Sequence, residues 1–301
     1  MANYSIKDLE HLSGIKAHTL RIWEQRYNLI NPKRTETNIR FYDQDDLKLI
    51  LNVSLLKDNG IKISKIAEMT REQLNEAIIN ISDNSTNFAD QIYALTLCMI
   101  DLDEQRFEKI INANTLKHGF ERTMMNLVIP FLSKIGVMWL TDAINPAQEH
   151  FISHLVRQKI MVAIDGQQTN VDSSAKKYML FLPEGELHEL ILLFANYLIK
   201  SRGGRVIYLG QTLPLDDLKM AYEVYEPEYL ITVLTGKPQN STPTEYIEEL
   251  SNLFPVSEIL VSGRQVVGQD LQLPENVSSL TGLNDLIAFL EENSTTTSPK
   301  E

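Results

Sequence analysis

The sequence predicts a multidomain chain that is α-helical in its N-terminal half and α/β in its C-terminal half. Two short amphipathic stretches flank a glycine near the N-terminus and precede a basic segment. Apolar residues then recur at helical spacing from about residue 88 to residue 166, and short apolar runs alternate with helical stretches from residue 178 onward. In chain order, these patterns indicate a winged helix-turn-helix, a four-helix bundle and a doubly wound, Rossmann-like parallel sheet.

The composition is typical of folded domains in a reducing compartment. A chain of 301 residues that is 43% hydrophobic, with a mean hydropathy of -0.17, suffices for two or three domains. No run approaches the roughly 20 apolar residues of a membrane span, and no secretory signal is visible. The single cysteine, Cys98, excludes an internal disulfide framework and a Cys-rich zinc site. We therefore expect a cytoplasmic protein with no membrane partner.

The net charge of -12 is unevenly distributed. Residues 1–42 contain seven Lys and Arg against four Asp and Glu, a local charge of +3, so the acidic excess lies in the rest of the chain. A basic head on an acidic body predicts that only the N-terminal segment contacts nucleic acid.

Residues 1–75 have the pattern of a DNA-binding domain. Ser5 and Asp8 have the spacing of a capping box, and Gly14 permits a tight turn before a second helix over roughly 16–27. The second helix of such a motif enters the major groove, and a basic loop beside it, the wing, binds phosphates. The residues predicted to contact double-stranded DNA are Lys16, His18, Thr19, Arg21, Arg26, Tyr27, Lys33, Arg34, Arg40 and Tyr42.

The remaining elements follow from apolar periodicity and polar breaks. A helix over 43–59 and a short helix capped by Ser64 complete the first domain, before a polar linker at 82–87. The predicted bundle, 88–166, has helical stretches at 88–101, 103–113, 119–140 and 145–165. The predicted α/β domain, 176–294, has strands at 178–182, 205–210, 229–235, 258–263 and 278–281, alternating with helices at 188–202, 214–225, 243–254 and 283–292. A second polar linker, 167–177, precedes this domain, and 295–301 is predicted to be a disordered tail.

Residues 4–70 resemble the winged helix-turn-helix of MerR-type transcription regulators. The segments that carry the resemblance are Leu20–Tyr27, Pro32–Arg34 and Asn38–Tyr42. The resemblance implies a regulator that binds operator or promoter DNA as a dimer, because paired half-sites supply the surface that one helix-turn-helix lacks. Metal-sensing members of the family need thiolate ligands, so metal sensing is not expected of a chain with one cysteine.

The rest of the chain resembles the light-responsive, cobalamin-dependent branch of that family. The spacing of Trp139, Glu149 and His150 resembles the segment that covers the upper face of the cofactor, where the aromatic ring packs on the adenosyl group. Asn145 and Pro146 suit the start of the helix that carries Glu149 and His150. An ordinary bundle core with a surface Glu and His is the alternative.

A second constellation, Glu184–His188, directly follows the first predicted strand. Ligand sites in doubly wound sheets lie at the carboxyl ends of the strands, so this loop is well placed. His188 resembles the lower axial ligand of cobalamin domains, which implies adenosylcobalamin with His188 on its cobalt. A ligating imidazole needs its other nitrogen held by an acceptor, and Glu186 is suitably close. The alternative is a histidine at a helix start with no ligand.

Three positions depart from the family pattern for the slot that holds the nucleotide tail of the cofactor. Ile191 stands where the pattern has Gly, the third strand ends in Leu234-Thr235-Gly236 in place of a serine motif, and Ser262-Gly263 replaces paired glycines. Thr235, Ser262 and Gly263 are still the candidates for this slot. Added bulk commonly costs ~1–3 kcal/mol, and two such losses weaken binding about 100-fold.

Two functions therefore stay open at the level of sequence, both without enzymatic activity. In the first, a repressor senses adenosylcobalamin and hence light, through a change between a homotetramer and smaller species. In the second, the same DNA-binding regulator has lost the cofactor and responds to a protein antagonist or another ligand. A corrinoid carrier for an enzyme is disfavoured because such enzymes need a substrate barrel of about 250 residues.

Overall fold

The computed structural model describes residues 4–35, 38–84, 87–140, 144–167, 173–239 and 241–294. The chain divides into two compact units, Met1–Leu155 and Val156–Glu301. The predicted tail at 295–301 and the centre of the linker at 167–177 lie outside the described residues. Within the described part, no helix is long and apolar enough to cross a membrane.

The first unit begins with the predicted helix-turn-helix and its wing. Its elements are α1 (Ile6–Ser13), α2 (Ala17–Tyr27), the antiparallel strands β1 (Lys33–Arg34) and β2 (Arg40–Phe41), α3 (Gln44–Asp58), α4 (Ile63–Ala67) and α5 (Arg71–Asn84). The predicted capping box is present: the Asp8 amide donates to Ser5 Oγ at 3.3 Å, and the Ser5 amide donates to Asp8 Oδ2 at 2.6 Å. Gly14 ends α1 with φ of +73°, a left-handed conformation that favours glycine.

Two local predictions in this region are wrong. Ser64 lies inside α4, which begins after Lys62 without a side-chain capping bond. Helix α5 is not predicted, and it extends through 82–84, the start of the expected linker. The sequence feature that marks the start of α5 is a capping pair, Thr70 and Gln73. The amide of each residue donates to the side chain of the other, at 3.0 and 3.2 Å.

The bundle helices agree with the four predicted stretches. They are α6 (Phe88–Asp101), α7 (Glu104–His118), α8 (Phe120–Thr123) continued by a π-helical turn (Met124–Val128) into α9 (Ile129–Leu140), and α10 (Pro146–Asp165). Asn145 caps α10 as predicted, because its Oδ1 accepts a hydrogen bond from the Gln148 amide at 3.0 Å. Phe107, Leu127 and Phe131 are fully buried among these helices. The boundary between the two units falls within α10.

The second unit contains the predicted doubly wound parallel sheet. Its described strands, in the order β4-β3-β5-β6-β7, are β3 (Lys177–Pro183), β4 (Arg205–Leu213), β5 (Tyr229–Val233), β6 (Glu258–Ser262) and β7 (Val277–Ser279). The helices are α11 (Leu190–Ser201), α12 (Leu215–Tyr225), α13 (Pro243–Leu253) and α14 (Leu283–Ser294). Strand β3 has β4 on one side and β5 on the other, so the direction of winding reverses between β3 and β5. Ligands of such sheets bind at this switch point.

The register of β3 and β5 brings the ends of both strands to one level. Tyr178 lies opposite Tyr229, and Phe181 lies opposite Thr232. Every residue of β5 is buried, which explains why the strand reads as a continuous apolar run. The loops that follow β3 and β5 therefore start side by side at the switch point.

Gly263 is required by a close backbone approach. Its φ is +100°, and a Cβ atom there would lie 2.4 Å from the carbonyl oxygen of Leu234. We expect Gly263→Ala to lower the free energy of unfolding by about 1–3 kcal/mol, because the variant combines backbone strain with a steric clash. Urea unfolding of the full chain, followed by circular dichroism, measures this.

Gly282→Ala is the matched control, since a Cβ atom there meets nothing within 4 Å and φ is ordinary. An equal loss of stability in both variants would show that the close approach at Gly263 is unimportant.

Candidate functional site

The carboxylate of Glu186 joins the two loops at the switch point. Its side chain is buried, and Oε2 accepts hydrogen bonds from the amides of Thr235 at 2.9 Å and Gly236 at 2.7 Å. Oε1 accepts from the amides of Leu187 and His188, both at 3.0 Å, and is 2.5 Å from Nδ1 of the His188 ring. One carboxylate therefore ties the loop after β3 to the loop after β5.

These contacts keep Glu186 charged. Burial by itself raises the pKa of Glu186, but the hydrogen bonds from the His188 ring and from the amides of Gly236 and His188 outweigh it and lower the pKa to about 2. A charged carboxylate accepts Nδ1–H, which assigns the lone pair of the neutral imidazole to Nε2. The His188 side chain is 73% exposed. This arrangement is the one that a metal-ligating histidine uses.

A second carboxylate, that of Glu189, anchors the residue that follows His188. Arg157 in α10 forms an ion pair with Glu189, with 2.6 Å between Nε and Oε1. The Tyr208 hydroxyl donates to Glu189 Oε2 at 2.9 Å. Burial and the adjacent Glu189 charge both raise the pKa of Tyr208, so the hydroxyl keeps its proton for this bond. Sequence analysis does not identify these three residues, because nothing in the local sequence pairs them.

The residues predicted for the slot of the nucleotide tail lie around the same loops, and their polar groups form hydrogen bonds to other protein atoms. Thr235 contributes its backbone, whose carbonyl oxygen accepts from Arg264 Nε at 3.0 Å. The Ser262 hydroxyl donates to the carbonyl oxygen of Leu280 at 2.7 Å. Ile191 lies half-buried in the first turn of α11. The structure thus brings Glu186, His188 and Thr235 into direct contact.

In the first unit, Glu149 and His150 are neighbours at the start of α10. Glu149 Oε1 accepts a hydrogen bond from the Ser153 hydroxyl at 2.6 Å, and Glu149 Oε2 is 3.5 Å from Nε2 of His150. His150 is exposed, and its ring centre is 6.4 Å from that of His154. The backbone of Trp139 belongs to α9, but its side chain lies outside the described residues.

The basic residues predicted to contact DNA fall into two groups. The exposed residues Lys16, Lys33 and Arg40 pair with acids of the same unit. Lys16 pairs with Glu10 at 3.1 Å and Arg40 with Glu24 at 3.7 Å, while Lys33 contacts the Asp43 carboxylate. Arg21, Arg26 and Arg34 are also exposed, as is His18, whereas Thr19 and Tyr27 are half-buried. Arg34 donates to Asn38 Oδ1 at 2.8 Å across the wing.

Tyr42 does not lie on this surface, contrary to the expectation from sequence. Its side chain is fully buried, and its backbone pairs with Tyr4 through two hydrogen bonds of 2.8 and 2.9 Å. Tyr42 immediately precedes Asp43, which caps α3, and its ring belongs to the core of the domain. Trp23 of α2 is also buried, so its ring packs in the core of the domain.

Comparisons with known proteins identify two segments of the chain. Residues 4–73 match the family model described as MerR HTH family regulatory protein, and residues 91–163 match the model of a B12 binding domain. The HTH-type transcriptional repressor CarH of Myxococcus xanthus is 24% identical over 233 residues, which cover 75% of this chain and 77% of that protein. CarA of the same organism is 25% identical over 226 residues, which cover 74% and 73%. The transcriptional regulator MlrA of Escherichia coli strain K12 is 36% identical over 66 residues, 22% of this chain and 27% of that protein.

The chain is therefore a transcription regulator that combines a DNA-binding MerR-type helix-turn-helix with a B12-binding domain. It is homologous to the repressors CarH and CarA. These relatives are transcription regulators, which favours a role other than catalysis.

Glu186→Gln tests the carboxylate at the switch point. We expect a loss of about 1–3 kcal/mol in the free energy of unfolding at pH 7, because an amide cannot satisfy all of these donors. Since the pKa of Glu186 is lowered on folding, its contribution is complete above pH 4.5 and is lost as the pH falls towards 2. Urea unfolding at several pH values should show the difference between wild type and variant shrinking over that range.

Glu184→Gln, in the same loop but exposed, is the control and should leave stability unchanged. A difference at Glu186 that stayed constant down to pH 2 would argue against a charged, hydrogen-bonded carboxylate.

Proposed function

We propose that this regulator represses transcription by binding operator DNA through α2 and the wing, and that adenosylcobalamin bound by the C-terminal half controls this binding. The observation that supports the proposal is the Glu186–His188 pair at the switch point, where a buried carboxylate holds Nδ1 and so leaves the lone pair of the ring on Nε2, the atom that we propose for cobalt. The homology to CarH and CarA supports repression as the output.

The residues of the chain fit the cofactor at its cobalt. His188 would bind cobalt through Nε2, Glu186 would keep the ring in the ligating tautomer, and Glu189 would hold the loop against α10 and β4. Thr235, Ser262 and Gly263 are proposed for the nucleotide tail, and Trp139, Glu149 and His150 for the adenosyl group. When bound, adenosylcobalamin supplies a cobalt–carbon bond that light breaks. We propose that this breakage lowers the oligomeric state from a tetramer and weakens DNA binding.

Among the basic residues, we assign the largest contributions to DNA binding to Arg21, Arg26 and Arg34. Their charges are exposed, whereas those of Lys16, Lys33 and Arg40 are partly compensated by Glu10, Asp43 and Glu24. A phosphate must compete with those acids for the paired cations, so each of them adds less to affinity. We propose that the chain binds as a dimer or a dimer of dimers, which supplies paired half-sites.

We expect Arg26→Gln and Arg34→Gln each to weaken DNA binding by about 3- to 10-fold and to reduce the slope of log affinity against log salt by about 0.9. Lys33→Gln should cost less, because Lys33 already pairs with Asp43. Fragments of the native genome that bind the full chain are selected first, and fluorescence anisotropy at several salt concentrations then measures affinity. Lys117→Gln, exposed on α7, is the control. Equal salt slopes for wild type, Arg26→Gln and Arg34→Gln would contradict the assignment.

Cobalamin binding is tested by gel filtration of the full chain after incubation with adenosylcobalamin in darkness. Corrinoid absorption should elute with the protein, and illumination should shift the complex to a smaller species. His188→Ala should lose most of the retained corrinoid, while His11→Ala, exposed on α1, should retain it. A wild-type chain that elutes without corrinoid would rule out this part of the proposal and leave DNA binding intact.

The second candidate function is a regulator of the same promoters that answers to a protein antagonist or to another ligand. Two observations favour it: the Ser262 hydroxyl is already engaged by the Leu280 carbonyl oxygen, and Ile191 adds bulk at the start of α11. Unchanged operator binding by His188→Ala, with or without cobalamin, is the result expected of this function.

A further inference from the structure

A cavity of about 670 Å³ lies in the second unit, apart from the loops that contain Glu186 and His188. It is lined by the end of α10, one face of α11, the start of β4 and the last residue of α12. Among the described residues, those proposed for cobalamin do not line it. The start of β4 is at the amino end of the parallel strands, whereas the cobalamin residues follow the carboxyl ends.

Asn196 gives the cavity an unused hydrogen-bond acceptor. It lines the cavity from the middle of α11, its side chain is only 4% exposed, and its Oδ1 has no hydrogen-bond partner among the residues that the structure describes. The other buried residues of α11, a helix described throughout, are apolar. A buried acceptor without a donor destabilises a fold, and a leucine of similar size would pack at this position without that cost. The described residues supply no donor to Asn196, so a ligand of the cavity is the candidate for it.

The rest of the lining combines apolar and aromatic walls with positive charge. Leu193 and Val206 contribute aliphatic surface, and Tyr208 and Tyr225 contribute rings. The charged lining residues are Asp165, Lys200 and Arg205. Asp165 is exposed, whereas both cations are half-buried, so the balance of charge at the cavity is positive. Arg205 donates one hydrogen bond to the Ser173 carbonyl oxygen at 3.2 Å, and its guanidinium carries five N–H groups in all.

We propose that this cavity binds an apolar, aromatic organic anion that also carries a hydrogen-bond donor. The donor binds Asn196 Oδ1, the rings pack among Leu193, Tyr208 and Tyr225, and the anionic group lies between Lys200 and Arg205. The volume is that of a site for a drug-sized molecule, which is commonly about 300–1,000 Å³.

The site is linked to the loop that contains His188 through one lining residue, Tyr208. The Tyr208 ring lines the cavity, and its hydroxyl donates to Glu189, the residue after His188. A bound ligand would therefore contact the side chain that holds this loop in place. The proposal requires no cobalamin, so it stands or falls separately from the proposed function.

The test uses 8-anilinonaphthalene-1-sulfonate, which has two aromatic groups, one N–H donor and a sulfonate. Its fluorescence, titrated against the full chain, should report one saturable site per chain. Arg205→Gln and Lys200→Gln should each weaken binding by about tenfold, while Lys219→Gln, exposed on α12 and not lining the cavity, should have no effect. The uncharged analogue N-phenyl-1-naphthylamine keeps the rings and the N–H, so its affinity should be the same for all three variants.

Asn196→Leu tests the buried acceptor. Both probes should bind at least tenfold more weakly, because each uses its N–H donor. This variant should fold at least as well as the wild type, since it removes an unpaired buried acceptor, and circular dichroism with a thermal melt verifies that.

Three results would overturn the proposal. The first is binding of the probe at several equivalent sites. The second is binding to a folded Asn196→Leu or Arg205→Gln chain as tightly as to the wild type. The third is a loss of probe binding as the chain self-associates at higher concentration, which would assign the cavity to a second copy of the chain.

Discussion

The second unit depends on one buried charge, the carboxylate of Glu186. Its donors come from two loops that are far apart in sequence, and they meet because β3 and β5 are adjacent and in register. Burial of an unpaired carboxylate would be prohibitive, so the charge requires all of these donors in place. The orientation of the His188 ring is thus a consequence of sheet topology. A fold that wound in one direction only would leave no gap at this point for the two loops to meet.

His188 is flanked by two carboxylates that connect it to different elements. Glu186 connects it to the loop after β5, and Glu189 connects it to α10 through Arg157 and to β4 through Tyr208. A ligating side chain whose ring is already held by Glu186 loses little conformational freedom when it binds, which favours affinity. The same contacts connect α10 and β4 to the loop that holds His188.

In the DNA-binding domain, acidic neighbours reduce a positive charge that is evident from composition. The positive charge of residues 1–42 and its placement on α2 and the wing follow from the sequence. The sequence does not show which of these charges are compensated, because Lys33 contacts Asp43 and Arg40 contacts Glu24 only after the wing folds back on the domain. The same folding buries Tyr42, a residue whose type and position in the sequence resemble those of a surface contact.

The sequence by itself determined the order of domains, most helix starts and the parallel sheet. Capping boxes, glycine turns and apolar periodicity act over a few residues, so they can be identified without knowledge of the fold. The pairing of Glu186 with His188 was also predictable, since only one residue separates them. Tertiary structure decided the contacts of Glu186 with Thr235 and Gly236, the ion pair of Arg157 with Glu189, and the cavity beside Asn196. These depend on groups about 30 to 65 residues apart in the chain, which only the packing of helices against the sheet brings together.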